Sequence, residues 1–362
     1  MKLLKIFLQL ILSKSVMKDL TVMLSACGAQ FAPGMVNCLK DNGERNIRVI
    51  GIDMHYDKTL ESLYDEIYEV PRATDEHYID RILEICRLEK VDVVLPFMSA
   101  ELLPLLDRIE DFNQAGVKVA VGDRHSIEIT TNKYCFYAFL KEQGLRVPKF
   151  ALVSKASELK EACEAVGYPN HPVCVKATEL SGSRGIRMID PSKSSFDILF
   201  GEKPNSFFTT FEDLQATLNE HTTMPEMMAM EYLPGEEGSV DLIADHGEIV
   251  YMAYRESNVN LASIPQEATL SYNEEAYQIA RDVVKSLGLH GSADLDFKYD
   301  KDGHPVLMEI NPRIAATMQI FKEGGLNLPY LRIKQLLGEE LPSIEVKYGV
   351  KMKRRYLEMF AC

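Results

Sequence analysis

The residues with the most chemical potential in this chain lie between positions 291 and 313, which read GSADLDFKYDKDGHPVLMEINPR. The triplet Lys301-Asp302-Gly303 marks a hairpin turn, so two antiparallel strands are expected on either side of it. Strand side chains alternate with period two, which puts Asp294 and Asp296 on one face and Glu309 and Asn311 together on the partner strand. Carboxylates and an amide in that arrangement are hard oxygen donors suited to Mg²⁺ or Mn²⁺. Arg313, just beyond, is placed to reach a phosphate held by the same ions. A solvated hairpin face carries acids at the same spacing. Glu309, however, sits inside the apolar run Val306-Leu-Met-Glu-Ile310, and burying a carboxylate there demands a partner.

Two further segments have polar chemistry. Lys176 ends the apolar stretch PVCVKA and is followed by Ser181-Gly182-Ser183-Arg184-Gly185. A lysine and a small flexible loop can surround a polyphosphate with a fixed cation and backbone N–H groups. The GxxxxGK[ST] pattern is absent, so this is not a P-loop. An ordinary hairpin turn would look the same, with Arg184 solvated instead of on phosphate. The second segment, Met230-Glu231-Tyr232-Leu233-Pro234-Gly235-Glu236-Glu237, is a strand-to-loop junction. Its backbone can read an adenine edge and Glu237 can bind ribose hydroxyls, although a plain Pro-Gly turn fits the same residues.

The elements that must position these groups differ between the two halves. Leu20–Ala26, a helix over Met35–Asn42 and Ile47–Asp53 form a βαβ unit. A helix over Tyr78–Glu89, a strand at Val91–Pro96, a helix over Leu102–Ala115 and a strand at Val117–Val121 continue the alternation. The expected fold of residues 18–123 is therefore α/β with a parallel, Rossmann-like sheet. The glycine spacing is not GxGxxG, so no dinucleotide site is assigned. Beyond Ser126 come an amphipathic helix over Asn132–Gln143, strands at Pro172–Ala177 and Gly185–Ile189, and a non-periodic insertion at Ser192–Pro204. A helix over Phe211–Glu220 follows. Strands are expected at Met227–Tyr232, Ser239–Ala244, Glu248–Tyr254, Ser292–Tyr299 and Val306–Ile310, with a hairpin turn at Asp245-His246-Gly247. This half reads as α+β.

Taken in order, Lys133, Lys176, the glycine-containing loop, Glu231-Tyr-Leu-Pro-Gly, Asp296 and Glu309-Ile-Asn311-Pro-Arg313 resemble the ATP-grasp superfamily, and most of all one module of the carbamoyl-phosphate synthase large chain. The likeness spans roughly residues 18–340. It implies a Rossmann-like pre-ATP-grasp domain at 18–123, after an N-terminal extension at 1–17, followed by a two-lobed ATP-grasp fold at 124–345. The lid lobe would occupy about 148–230 and the C-terminal lobe about 231–345, with a basic tail at 346–362. By the same resemblance, Lys133 and Lys176 bind ATP phosphates under Ser181, Gly182, Ser183, Arg184 and Gly185. Glu231, Tyr232 and Leu233 contact adenine, and Glu237 the ribose. Asp296, Glu309 and Asn311 hold two Mg²⁺ (or Mn²⁺) ions, while Arg313, helped by Arg255, stabilises the transferring phosphoryl group. The activity implied is ATP-dependent joining of a carboxylate to an amine or ammonia, through an acyl phosphate, with release of ADP and phosphate. The alternatives are a bicarbonate-using synthase or carboxylase and a non-catalytic ATP-binding regulatory module. The expected partners are small-molecule substrates, and a homodimer is left open.

Composition narrows the rest. The 362 residues suggest two or three structural units, and 46% apolar content supplies a sizeable core. A formal charge of −14 argues against a nucleic-acid partner, which requires a basic face. The seven cysteines are dispersed without a CxxC pair, as expected of reduced thiols in a cytoplasmic protein. Lys2, Lys5 and the apolar run Ile6–Leu12 superficially resemble a signal peptide, and Leu24-Ser25-Ala26-Cys27 a lipoprotein cleavage site. Ser13, Lys14, Ser15, Lys18 and Asp19 interrupt that stretch, and Leu20–Leu24 serves better as the first strand. Export is therefore not expected, and Met17 is an equally good start. No other apolar run has the length of a membrane span.

Overall fold

The computed structural model of this protein describes residues 17–180, 182–261 and 264–361. The expected N-terminal extension (Met17 apart) and the expected phosphate-loop residue Ser181 lie outside the described residues. The chain divides into two compact units. The first runs to Val121 and takes in Leu326–Ile344 and Leu357–Cys362, and the second comprises Gly122–Gly325 and Glu345–Tyr356. Residues 326–344, expected with the second half, thus belong with the first.

The first unit is built on five parallel strands, β1 (Leu20–Leu24), β2 (Ile47–Asp53), β3 (Glu66–Glu69), β4 (Val93–Leu95) and β5 (Lys118–Val119), in the order β3-β2-β1-β4-β5. Val22, Met23, Leu24, Val49, Ile50, Val93, Val94 and Leu95 are buried, the continuous apolar pattern of a parallel sheet covered on both faces. Helices α1 (Ala32–Lys40) and α2 (Tyr78–Glu89) lie near the expected positions. The expected helix at 102–115 is two, α3 (Ser99–Asp107) and α4 (Ile109–Gln114), because Arg108 leaves helical geometry at φ −113°. Helix Leu328–Leu336 returns to this unit: the Asn327 amide donates to the Cys38 carbonyl (2.7 Å) and Arg332 to that of Val121 (3.0 Å).

The second unit contains two sheets. One orders β6 (Phe150–Val153), β7 (Val173–Ala177), β8 (Arg187–Ile189), β9 (Phe208–Thr209) and β10 (Met227–Glu231) as β6-β10-β7-β8-β9. The other contains β11 (Glu237–Asp245), β12 (Glu248–Leu261), β13 (Ile264–Ser271), β14 (Gly291–Tyr299), β15 (Pro305–Asn311) and β16 (Lys351–Lys353), antiparallel throughout, as β15-β14-β11-β12-β13-β16. Helices α5 (Arg124–Thr131) and α6 (Lys133–Glu142) precede them, and α7 (Leu159–Val166) packs on the first of the two sheets through Leu159, Ala162, Cys163 and Val166. The stretch expected as an insertion, Ser192–Pro204, holds a short helix, α8 (Ser195–Gly201). Ser194 and Asp197 cap it reciprocally: the Asp197 N–H donates to Ser194 Oγ (3.2 Å) and the Ser194 N–H to Asp197 Oδ2 (2.9 Å). Seven residues are too few to show a helical period in sequence. After α9 (Phe211–Leu218), α10 (Glu274–Leu287) covers the larger sheet. Its Ala276, Ala280, Val283, Val284 and Leu287 pack against Val240, Leu242, Tyr254, Leu295 and Phe297. The segment expected as a basic tail supplies β16, whose Lys351–Lys353 pair with Thr269–Glu267 of β13. Its lysines stay exposed, which discourages another chain from adding to that edge.

One buried carboxylate organises the first unit. Glu101, 6% exposed, accepts hydrogen bonds from Ser25 Oγ (2.6 Å), Tyr78 Oη (2.7 Å) and the Met98 N–H (3.0 Å), joining β1, α2 and the start of α3. Burial pushes its pKa up, against those donors. A raised folded-state pKa means this group's contribution is full below the unfolded pKa and declines as pH rises through the folded one. Glu101→Gln keeps the acceptor and should remove that decline. Glu101→Ala strands two hydroxyls and should cost about 2–3 kcal/mol at every pH. Urea midpoints measured from pH 5 to 8 check both, and a Gln variant as unstable as the Ala variant would refute the assignment.

Candidate active site

The register of the larger sheet in the second unit brings the expected acids together. Asp294 pairs with Asn311 and Asp296 with Glu309 across β14 and β15. On the other side of β14, Asp241 of β11 pairs with Asp294 and Ser239 with Asp296. Ser239 in turn pairs with Arg255 of β12. Four carboxylates and an arginine therefore share one face, while Val240, Leu295 and Phe297 point into the core beneath.

A β-bulge makes this possible on β15. The register shifts so that Phe297 faces Leu307 while Asp296 faces Glu309, which leaves Met308 as the extra residue. Without the shift, Leu307 would share a face with Glu309 and Asn311; with it, Leu307 and Ile310 both enter the core. The Met308 carbonyl, released from the ladder, accepts from Tyr137 Oη (2.6 Å) and Lys176 Nζ (3.4 Å). That carbonyl ties α6 and β7 to the acidic strands.

Two lysines face the acids. Lys176, 4% exposed on β7, also donates to Tyr137 Oη (3.4 Å), and its ammonium lies 5.2 Å from the centre of that ring. Lys133, at the start of α6, donates to the Leu180 carbonyl (3.0 Å) and lies 3.6 Å from Glu309 Oε2. Burial lowers the pKa of both, and the Glu309 charge works in the opposite direction. Asp296 accepts from Ser239 Oγ (2.5 Å) and from the Asn311 amide (3.3 Å).

Arg255 sits deeper than expected. It is 4% exposed, its Nε donates to Asp241 Oδ2 (3.1 Å), one terminal nitrogen donates to Ser257 Oγ (2.9 Å) and the other lies 3.6 Å from Asp294 Oδ1. Arg313 lies 4.0 Å from Asp294 Oδ2 and donates to the Ile314 carbonyl (3.2 Å). Both arginines thus converge on Asp294, Arg255 from within the sheet and Arg313 from the strand end.

The remaining expected residues are dispersed around this centre. Gly182, Ser183 and Gly185 all have positive φ (66°, 60° and 71°), so the loop that includes Arg184 coils tightly after β7. A side chain at Gly185 would meet Ala177 Cβ at 2.9 Å, so glycine is required there. Glu231 ends β10, where its N–H donates to the Lys149 carbonyl (3.0 Å). Tyr232 is half-buried and Leu233 buried in the link to β11. Glu237 opens β11 and pairs with Lys298 (3.1 Å). The sequence reading missed Tyr137, Ser239 and Ser257, since nothing in their spacing anticipates the bulge or the β11–β12 register.

The fit of a divalent cation can be tested on this geometry. Burial, then the charges of Asp241 and Glu309, pushes the Asp294 pKa up to about 7; burial and Asp296 raise that of Asp241 to about 6; and burial with Asp294 and Glu309 holds Asp296 well above its ordinary value. Asp241 Oδ1 and Asp294 Oδ1 are buried without a hydrogen-bond donor. A face this crowded with oxygen donors lacks positive charge, and Asp296, Glu309 and Asn311 are the donor types that Mg²⁺ and Mn²⁺ prefer. The residues fit the ion.

Comparison with known proteins agrees with this architecture. The family described as ATP-grasp in the biosynthetic pathway with Ter operon matches residues 223–356, which hold the acidic strands. Residues 22–120 match the PylC-like N-terminal domain. Over residues 223–356 the chain is similar to ATP-grasp proteins. Among its relatives, the carbamoyl phosphate synthase arginine-specific large chain of Bacillus subtilis is 22% identical over 304 residues, covering 80% of this chain and 27% of that one. The corresponding large chain of Rubrobacter xylanophilus is 27% identical, covering 78% and 26%. The chain thus spans about a quarter of the length of these relatives. In three dimensions it resembles N5-carboxyaminoimidazole synthetase from Staphylococcus aureus solved with ADP, with TM-score 0.64 and 17% identity, covering 91% of this chain and 81% of that one. Biotin carboxylase from Campylobacter jejuni superposes with TM-score 0.67 and 17% identity, covering 91% and 74%. Among the described residues, no helix is long and apolar enough to cross a membrane.

The buried arginine gives a direct test of the electrostatics. Arg255→Met should cost about 3–5 kcal/mol, because Asp241 and Asp294 are left facing each other without their cation. Asp241→Asn in the same chain should restore part of that loss. Equilibrium unfolding of the single and double variants reads the coupling, and a double variant no more stable than Arg255→Met would contradict it.

Proposed function

We propose that this chain is an ATP-grasp enzyme, an ATP-dependent carboxylate–amine (or ammonia) ligase that forms an acyl phosphate and releases ADP and phosphate. The observation that carries the reading is the placement of Asp296, Glu309 and Asn311 opposite Lys133 and Lys176, with Arg313 at the strand end. Phosphoryl transfer needs in-line positioning and charge neutralisation more than a protein nucleophile, and this site offers both.

In this reading Lys133 and Lys176 hold the polyphosphate. The contacts of Lys176 with Tyr137 and Met308 fix its ammonium before ATP arrives. The loop at 182–185 closes over the phosphates with its backbone N–H groups. The backbone at Glu231–Leu233 reads the adenine edge, and Glu237 turns from Lys298 to the ribose. Asp296, Glu309 and Asn311 would hold Mg²⁺ or Mn²⁺, which when bound neutralises charge on the terminal phosphates. Arg313 meets the phosphoryl group as it passes to the carboxylate. Arg255, enclosed by Asp241, Ser257 and Asp294, acts as a positioning residue: it holds Asp294, and through it Arg313, in place.

A second reading is favoured by the sequence likeness to carbamoyl phosphate synthase large chains, namely bicarbonate as the carboxylate and ammonia as the amine. It shares the same first step. A non-catalytic regulatory module is disfavoured by the complete set of cations and acids.

Hydroxylamine separates these possibilities. With ATP, Mg²⁺ and an accepted carboxylate, the enzyme should form a hydroxamate together with ADP, since a mixed anhydride is open to any strong amine nucleophile. Amino acids, hydroxy acids and bicarbonate form the first panel. Glu309→Gln should lose most turnover while remaining folded, and Lys176→Ala should give neither product. Production of AMP and pyrophosphate, or of ADP without hydroxamate from a proven carboxylate substrate, would overturn the mechanism.

A further inference from the structure

The larger sheet of the second unit carries a second polar cluster, at the end away from the acids described above. Asp245 ends β11, His246 opens the β11–β12 turn, and His290 immediately precedes β14. One carboxylate oxygen and one nitrogen from each imidazole all lie within 4.8 Å of one another. Asp245 Oδ1 is 3.1 Å from His290 Nδ1 and 3.8 Å from His246 Nε2, and the two rings stack with centroids 4.4 Å apart. His290 lies just before β14 and Asp296 six positions on, about 20 Å at roughly 3.3 Å per residue of extended chain, so this cluster is separate from the acidic centre described above.

The cluster is held in place by backbone. The Gly247 N–H donates to the Leu289 carbonyl (2.9 Å), fastening the hairpin turn to the loop that bears His290. The His290 N–H donates to Asp123 Oδ2 (3.3 Å), while Asp123 Oδ1 caps α5 through the Ser126 N–H (2.8 Å). A side chain at Gly122 would meet the His290 carbonyl at 2.7 Å, so the chain passes as close there as glycine allows. His246 adopts φ +47° in a two-residue turn whose second residue, Gly247, has φ +92°. Such a turn favours asparagine or glycine first, so an imidazole there is held at some conformational cost.

We propose that Asp245, His246 and His290 form a binding site for a divalent transition metal of the zinc class. Two imidazoles and one carboxylate are borderline donors that select Zn²⁺ or Co²⁺ over Mg²⁺, and three protein ligands leave room for water on the ion. Bound metal cross-links the β11–β12 turn to the α10–β14 loop. Its effect is on the stability of the second unit, and ATP turnover does not depend on it.

The test uses the full chain, stripped of metal with a chelator. Zn²⁺ titrated calorimetrically should bind with one-to-one stoichiometry at micromolar concentration and raise the melting temperature, where Mg²⁺ alone does not. Co²⁺ should give the visible absorption of a low-coordinate nitrogen–oxygen site. His246→Asn, which suits the positive φ, and His290→Gln should each weaken Zn²⁺ by about tenfold or more, and the double variant should abolish the thermal shift. Circular dichroism of the metal-free variants confirms that they fold, and Mg²⁺-supported ATP turnover should be unchanged in His246→Asn. Zn²⁺ binding that survives the double variant, which would assign the metal to exposed groups such as Cys135 or His304, overturns the proposal. So does the absence of a Zn²⁺-dependent shift in the parent protein.

Discussion

The second unit is organised by one electrostatic constraint: four carboxylates on one face of three neighbouring strands above a buried apolar core. Burial and neighbouring like charges raise the pKa of Asp294 and Asp296, and cations stand at fixed points around them. Arg255 compensates Asp241 and Asp294 from inside the sheet. Lys133 approaches Glu309 from α6, and Lys176 is fixed to the same strand through Met308. The compensation is incomplete, since two carboxylate oxygens remain without donors. That residual demand for positive charge supports the proposed cation site on this face.

The hairpin at 291–313 could be read from the sequence because alternation and turn chemistry are local. Period two placed Glu309 beside Asn311, and Lys301-Asp302-Gly303 marked the reversal. What spacing could not reveal was long-range. The bulge at Met308 depends on both Leu307 and Ile310 fitting one core, a matter of packing against α10 and not of any local signal. The depth of Arg255 depends on β11 lying between β12 and β14, an order that no single segment specifies. The short helix α8 was hidden by its length, and the basic tail looked like a solvated end because its strand partner, β13, lies far away in sequence.

The comparisons and the geometry contribute different things. Identities of 15–18% with solved structures speak to fold alone, and the sequence relatives are about four times as long as the segment they share. Chemistry therefore has to be argued from the side chains. Here Arg255 is buried beside one oxygen of Asp294 and Arg313 lies more exposed beside the other, so the two arginines sit in different environments despite their identical charge.

The return of residues 326–344 to the first unit has a consequence for how the chain matures. Arg45, whose side chain is almost wholly enclosed, meets its carboxylate partner only in Glu339, and Glu44 meets Lys334. During synthesis the opening sheet must therefore wait for some two hundred intervening residues before its last helix exists. The second unit is complete but for its edge strand while the first still lacks part of its covering, so the order of synthesis and the order of completion are inverted. Closing so long a loop is slow, and the nascent first unit carries an unfilled apolar surface for that interval. Any demand this protein makes on chaperones should fall on the half that emerges first.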